Sequence, residues 1–291
     1  MSIAEIYEAA SEPVVSFEFF PPKTDAGYRS LFRTIQDLKQ LAPGFVSVTM
    51  GAGGSTRSKT VDLTIRITRE IGLVTMCHLP CTGFRPAEIG GILDQLAAGG
   101  VHNVLALRGD PPRDDPDFVA PEDGFQYANE LVAYISARPD RELFSVGAAC
   151  APETHPEAPD AATDIAHLRR KVDAGADFLI SNFFFDNALF FDFVDRARAA
   201  GIRVPIIPGI MPIATVSGIR RMAGMNGTTF PEELEAELQR VDGDDDATYA
   251  LGVRWATQQC EELIARGVPG IQFYTLNRSP ASREIYRNLF G

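Results

Sequence analysis

The sequence predicts an α/β fold: a single-domain (β/α)8 barrel of the TIM type over residues 1–291. Three observations predict it. Strand-like and helix-like patterns alternate along the chain, eight strand candidates can be counted, and chemistry-bearing side chains gather where those strands end. An open doubly wound sheet is the competitor. The count of eight and the lack of a dinucleotide fingerprint weigh against it. With 45% hydrophobic residues the chain can bury a large core, and α/β barrels of this length run as one domain.

The strand candidates are 14–20, 44–50, 73–79, 102–108, 143–150, 177–184, 203–210 and 270–276. The first carries Ser16-Phe17-Glu18-Phe19-Phe20 and halts at Pro21-Pro22, which cannot extend a central strand. Alternation puts Val15, Phe17 and Phe19 on a helix-covered face and Ser16 and Glu18 on the other. A carboxylate between two phenylalanines is partly desolvated, which raises its pKa and suits it to give a proton near neutrality. A buried glutamate paired with a basic residue for structural reasons is the equal alternative. Leu31, Ile35 and Leu38 mark the first helix, Ile89, Ile92, Leu93 and Leu96 the third, and Ile165, Leu168 and Val172 the fifth, closed by Gly175. Asp186 can cap the sixth helix, and Ser279-Pro280 reads as a cap followed by proline at the first helical position. Two insertions break the alternation: a Pro/Asp-rich loop at 109–124, and an acidic piece at 226–247 (Glu232, Glu233, Glu235, Glu237) that reads as a solvated face.

Composition excludes several classes. A net charge of −12 argues against a nucleic-acid surface. No apolar run reaches membrane length and no signal peptide is indicated, so a cytoplasmic protein is expected. The four cysteines, Cys77, Cys81, Cys150 and Cys260, form no paired framework, which fits a reducing compartment. Cys77-His78-x-x-Cys81 has metal-ligand spacing, but no second pair completes a zinc site and no metal is expected. Cys260 falls in a helical apolar stripe with Tyr249, Val253, Ala256 and Leu263, a core position.

In a barrel of this kind chemistry sits at the C-terminal strand ends. Those ends offer Glu18, Ser47 and Thr49, His78, Arg108-Gly109-Asp110, Ser181-Asn182, and Tyr274-Thr275-Leu276-Asn277-Arg278. Together they read as an active site. The loop Gly51-Ala52-Gly53-Gly54-Ser55-Thr56 would let the backbone approach a flat or anionic ligand, with Ser55 and Thr56 as donors; a tight turn is the alternative. In the fifth helix Asp164, His167 and Lys171 share a face, with Arg170 beside them. Such basic residues suit a pyrophosphate or, in the ordinary case, water.

The chain resembles the bacterial 5,10-methylenetetrahydrofolate reductase family over essentially its whole length. The stretches that carry the resemblance are Ser16–Pro22, Val48–Thr56, Cys77–Leu79, Leu105–Pro112, His155–Ala158, Arg170–Ala176, Phe183–Asp186, Ile207–Pro212 and Phe273–Arg278. The resemblance implies a barrel flavoenzyme of one-carbon metabolism and methionine biosynthesis. It would pass hydride from NADH or NADPH through FAD to the folate. Glu18 matches the family's general acid, and Asp110 the aspartate between flavin and pterin. Thr49, His78, Arg108, Gly109, Asp110, Tyr127, Ala128, His155, Asp164, His167, Arg170 and Lys171 fall at FAD-binding positions. Asn182, Phe184 and Arg278, with Glu18 and Asp110, fall at folate-binding ones. The chain departs from the family pattern at Ala151, Ser181-Asn182 and His167, so looser FAD is expected. Direct hydride transfer without flavin, and a silent folate- or nucleotide-binding barrel, are the competing readings. A homo-oligomer is expected, without the S-adenosylmethionine-sensing domain of larger eukaryotic relatives.

Overall fold

The computed structural model describes residues 1–52, 56–111 and 117–291. The strands are β1 (Val14–Phe19), β2 (Phe45–Val48), β3 (Thr75–Pro80), β4 (Asn103–Leu107), β5 (Ser145–Cys150), β6 (Phe178–Phe183), β7 (Ile206–Ile210) and β8 (Gly270–Tyr274). They pair in parallel in chain order, and β8 closes on β1. Each lies within or overlaps its expected range. The helices are α1 (Ile3–Ala9), α2 (Asp25–Lys39), α3 (Arg57–Arg66, continued by a π-helical turn), α4 (Pro86–Gly99), α5 (Ala128–Ser136) and α6 (Ala161–Asp173), then α7 (Asn187–Ala199), α8 (Val216–Asn226), α9 (Glu232–Val241), α10 (Asp245–Ala265) and α11 (Pro280–Phe290). No described helix is long and apolar enough to cross a membrane.

Strand alternation splits the core in two. Phe17, Phe19, Val46, Val48, Leu79 and Phe273 point outward and pack with Leu31, Ile35 and Leu38 of α2 and Ile89, Ile92, Leu93 and Leu96 of α4. Fully burying a side chain of this size is worth about 1.5–3 kcal/mol, so this shell dominates the stability of the barrel. Phe45, Met76, Leu105, Phe178, Ile180 and Ile207 point inward and fill the barrel with Ile3 and Tyr7.

Those last two belong to α1, a helix the periodicity did not reveal. A capping box between Ser2 and Glu5 starts it. Its first backbone N–H groups, which no helical carbonyl can serve, reach the barrel instead. Ile3 N–H donates to Asn103 Oδ1 at 2.8 Å, and Ala4 N–H to Ser145 Oγ at 3.2 Å. The helix thereby plugs the N-terminal face. A buried polar layer also crosses the barrel. Gln272 Nε2 donates to Ser47 Oγ at 2.9 Å, and Ser16 Oγ bonds Gln272 Oε1.

The acidic insertion folds as α9, with Asp244 capping α10. Leu234 and Leu238 bury against Phe183, Phe185, Met211 and Ile213. Only part of it is a solvated face: Glu235 pairs with Arg220 and Glu237 with Arg254. Asp186 caps α7 as expected, accepting from Ala188 N–H at 2.8 Å. Ser279 precedes Pro280 at the start of α11, but its side chain makes no cap bond. Gly175 follows α6 at φ 113°, a conformation that favours glycine. Cys260 is fully buried in α10.

Candidate active site

Glu18 points inward near the C-terminal end of β1, with its side chain 17% exposed. Removal from water without a compensating cation pushes its carboxyl up to about 8. His78, inward on β3, sets Nε2 3.4 Å from Glu18 Oε2. Burial drops the imidazole to about 3, so it is neutral at pH 7 and adds no charge to hold the carboxylate ionised. His78 Nε2 is buried with no hydrogen-bond partner, which leaves an unpaired polar atom beside the Glu18 carboxyl. Tyr274 of β8 bonds the Ser181 carbonyl at 2.7 Å. Burial foremost, and the nearby Glu18 second, raise its pKa. The structural ion-pair reading of Glu18 requires a cation, and none of the described salt bridges gives it Lys or Arg.

The turn after β8 grips the end of β1. Thr275 Oγ1 donates to the Glu18 carbonyl at 2.6 Å. Asn277 brackets Phe20, accepting its N–H at 2.9 Å and donating to its carbonyl at 2.8 Å. Arg278, at the end of this turn, is exposed.

A second group of site residues lies beyond β4 and β5. Arg108 is doubly paired with Glu157. That bond raises the pKa of the arginine and lowers that of Glu157. Gly109 sits at φ 79°, and an added Cβ there would come 2.5 Å from Pro80 Cβ, so only glycine lets the chain pass. A groove of about 450 Å³ opens here, bordered by Thr82, Arg108, Gly109, Pro121, Phe125 and Gln126. Lys171 of α6 turns inward and donates to the Ala149 carbonyl at 2.8 Å, and burial lowers its pKa. Asp164 accepts the His155 N–H at 3.0 Å. His167 and Arg170 face solvent, and Asp110 is exposed at the end of β4. A guanidinium and an amine beside a glycine cradle and an aromatic ring are donor types suited to a flat, anionic dinucleotide, with Arg108 held by Glu157 and Lys171 by the Ala149 carbonyl in this structure.

Several expectations change. Phe184 does not reach the mouth. It is buried in the outer shell, stacked on Phe190 with ring centroids 5.0 Å apart, because the register shifts between Ile180 and Phe183 of β6. The same irregularity commits Ser181 Oγ to the Gly209 N–H at 2.9 Å. Ser47 lies in the buried polar layer rather than at the rim. Thr56 does not offer a free hydroxyl: it accepts the Gly51 N–H at 2.8 Å and meets Thr60 Oγ1 at 3.0 Å. Gly53, Gly54 and Ser55 of that loop, and residues 112–116 of the Pro/Asp-rich loop, lie outside the described residues. Thr49 is half-buried, as is Asn182; Ala128 is buried and Tyr127 exposed at the start of α5. No group of three or more metal-ligating side chains occurs among the described residues. Glu157 was missed. It sits in the His155-Pro-Glu-Ala158 stretch, but its partner is 49 residues away, and no local periodicity announces such a pair.

The family model for methylenetetrahydrofolate reductase matches residues 3–290. Methylenetetrahydrofolate reductase (NADH) 1 of Arabidopsis thaliana is 40% identical over 283 residues, covering 94% of this chain and 48% of that protein. The chain thus spans about half the length of such relatives. The 5,10-methylenetetrahydrofolate reductase of Escherichia coli is 37% identical over 275 residues, covering 94% of this chain and 90% of that one. A Clostridium thermocellum protein that binds two copies of 5-methyl-5,6,7,8-tetrahydrofolic acid has a TM-score of 0.63 at 12% identity, over 98% of this chain and 96% of that one; it shares the fold.

Proposed function

Because the chain belongs to the methylenetetrahydrofolate reductase family, we propose that it reduces 5,10-methylenetetrahydrofolate to 5-methyltetrahydrofolate, with NADH or NADPH as donor and FAD as carrier. The observation that carries this reading is the buried Glu18 carboxyl at the barrel mouth, raised to about 8 and therefore protonated at neutral pH. The substrate's methylene bridges two nitrogens. Glu18 gives its proton to nitrogen-10, which breaks that C–N bond and leaves a cationic iminium at nitrogen-5, ready for hydride. The exposed Asp110 carboxylate at the end of β4 stabilises that cation and bonds the pterin. Asn182 and Arg278 hold the rest of the folate. His78, lowered to about 3 by burial, neither takes the proton from Glu18 nor adds a positive charge that would ionise it.

When bound, FAD supplies the hydride carrier between nicotinamide and folate. Arg108 and Lys171 would hold its phosphates, with Thr49, Gly109, Tyr127, Ala128, His155, Asp164, His167 and Arg170 completing the cradle. Ala151, half-buried just after β5, offers no aromatic wall to it.

Glu18→Gln tests the reading. It keeps the side chain's shape and removes the transferable proton. Folate reduction is expected to fall at least ~10²-fold while flavin reduction by the nicotinamide survives, the two half-reactions being separated by stopped-flow absorbance. Equal loss in both half-reactions would return Glu18 to a structural role. Folate turnover by flavin-free protein with nicotinamide alone would replace the FAD step by direct transfer.

A further inference from the structure

Backbone pairing of β1 with β8 runs from Val14 opposite Gly270 to Glu18 opposite Tyr274. It stops there because the chain turns: Leu276 and Asn277 sit at φ 51° and 59°. Asparagine tolerates that region, whereas leucine is strained in it. Such strain persists only where the surroundings over-determine it, and it clusters at functional sites.

Here the surroundings are the end of β1. With no ladder left, side chains of the turn take over its edge. The Thr275 hydroxyl holds the Glu18 carbonyl, and the Asn277 amide holds both backbone groups of Phe20. The turn is also tied to itself, with Asn277 N–H to Thr275 Oγ1 at 3.2 Å and Arg278 N–H to the Thr275 carbonyl at 2.9 Å. On the opposite edge, Thr49 N–H holds the Phe19 carbonyl at 2.8 Å. Three consecutive residues, Glu18, Phe19 and Phe20, are thus pinned immediately before Pro21-Pro22 ends the strand.

We infer that Thr275 and Asn277 are positioning residues: they fix the backbone beneath the Glu18 carboxyl, and through the same strained turn they couple it to Arg278. The inference rests on Glu18 being the proton donor. A side chain aimed at a reacting nitrogen loses rate steeply when its backbone shifts by a fraction of an ångström. A loosened strand end also admits water to the carboxyl and lowers its affinity for the proton. The titratable groups facing Glu18, His78 from β3 and Tyr274 from β8, remain in place in either case.

The test uses Thr275→Val, Thr275→Ser and Asn277→Gly in the full chain. Valine keeps the threonine shape without the hydroxyl, serine restores the donor, and glycine accepts the left-handed backbone but lacks the amide. Thr275→Val and Asn277→Gly are expected to slow folate reduction roughly tenfold. They should also move the alkaline fall of its pH profile to lower pH, with Thr275→Ser restoring both. An infrared titration of the protonated carboxyl stretch, assigned by its loss in Glu18→Gln, reads the same shift without turnover. A slower rate with neither titration moved makes the turn merely structural and overturns the proposal. Folate reduction unharmed in Glu18→Gln would instead overturn the general-acid role, and the infrared shift still reports on positioning.

Discussion

The two ends of the barrel interior solve opposite problems. At the N-terminal end, α1 closes the opening with Ile3 and Tyr7, and its orphan N–H groups find Asn103 and Ser145. Apolar side chains fill the remaining space. At the C-terminal end, a carboxyl and an imidazole lie 3.4 Å apart and largely removed from water, both shifted toward their neutral forms, with His78 Nε2 unpartnered. The lower end pairs the orphan N–H groups of its helix, leaves the Tyr7 hydroxyl as its one buried polar atom described without a partner, and gains stability from apolar filling. The upper end leaves its polar groups partly unsatisfied, which costs stability and keeps proton chemistry available. The division matches the rule that one face of such barrels carries stability and the other function.

The largest expected effect separates the two ends. Tyr7→Ala removes the ring that packs on Phe45 and Phe178 and should cost about 3–5 kcal/mol in denaturant unfolding. The kcat of the folded fraction should not change. A large kcat loss at unchanged stability would erase the distinction.

The next effect concerns the upper end and appears only across a pH window. Glu18 ionises near 4.5 when unfolded and near 8 when folded. Between those values the folded state binds the extra proton, so this group's contribution to stability is lost as pH rises from about 4.5 to 8. Glu18→Gln lacks that dependence. Its melting temperature relative to the unmodified protein should climb across this window and level off above it; parallel curves would mean the carboxyl titrates normally.

The smallest effect sharpens the comparison from below. The Tyr7 hydroxyl is buried without a partner, so Tyr7→Phe should be neutral or stabilising by up to about 1 kcal/mol, read from the same unfolding curves. A clear destabilisation would reveal a bond to the hydroxyl and make the lower end fully satisfied.

Much of this was readable in the chain because it is local. Period-two alternation around Glu18 put Phe17 and Phe19 against helices and the carboxyl inside, and a proline pair marked where the strand ends. The strand ends bearing His78, Arg108 and Tyr274 followed from the fold. What escaped depends on distant partners or on small irregularities. Seven-residue α1 is too short to show a period, and its anchors Asn103 and Ser145 lie on other strands. Glu157 looks like any loop glutamate until Arg108 is brought to it. The family resemblance alone places Phe184 at a folate-binding position, and the shift after Ile180 of β6, which turns it outward, leaves no mark in the sequence. Thr56 reads as a ligand donor, yet its hydroxyl is taken by Gly51 and Thr60, and Ser279 has cap-like chemistry yet makes no cap bond.

Closure of β8 onto β1 also sets the order in which the molecule can be made. Thr275 and Glu18 are 257 residues apart, and the layer joining Ser16, Gln272 and Ser47 spans nearly the same distance. On the ribosome β1 emerges well before β8 and waits with one edge unpaired until β8 has been synthesised. The lower plug can assemble from α1 once β4 and β5 appear, but the support beneath the carboxyl has to wait for the turn after β8. Contacts this distant in sequence are slow to make, and the open seam is the interval in which the chain is exposed to wrong pairing. Completion of the mouth therefore waits for β8 to dock on β1.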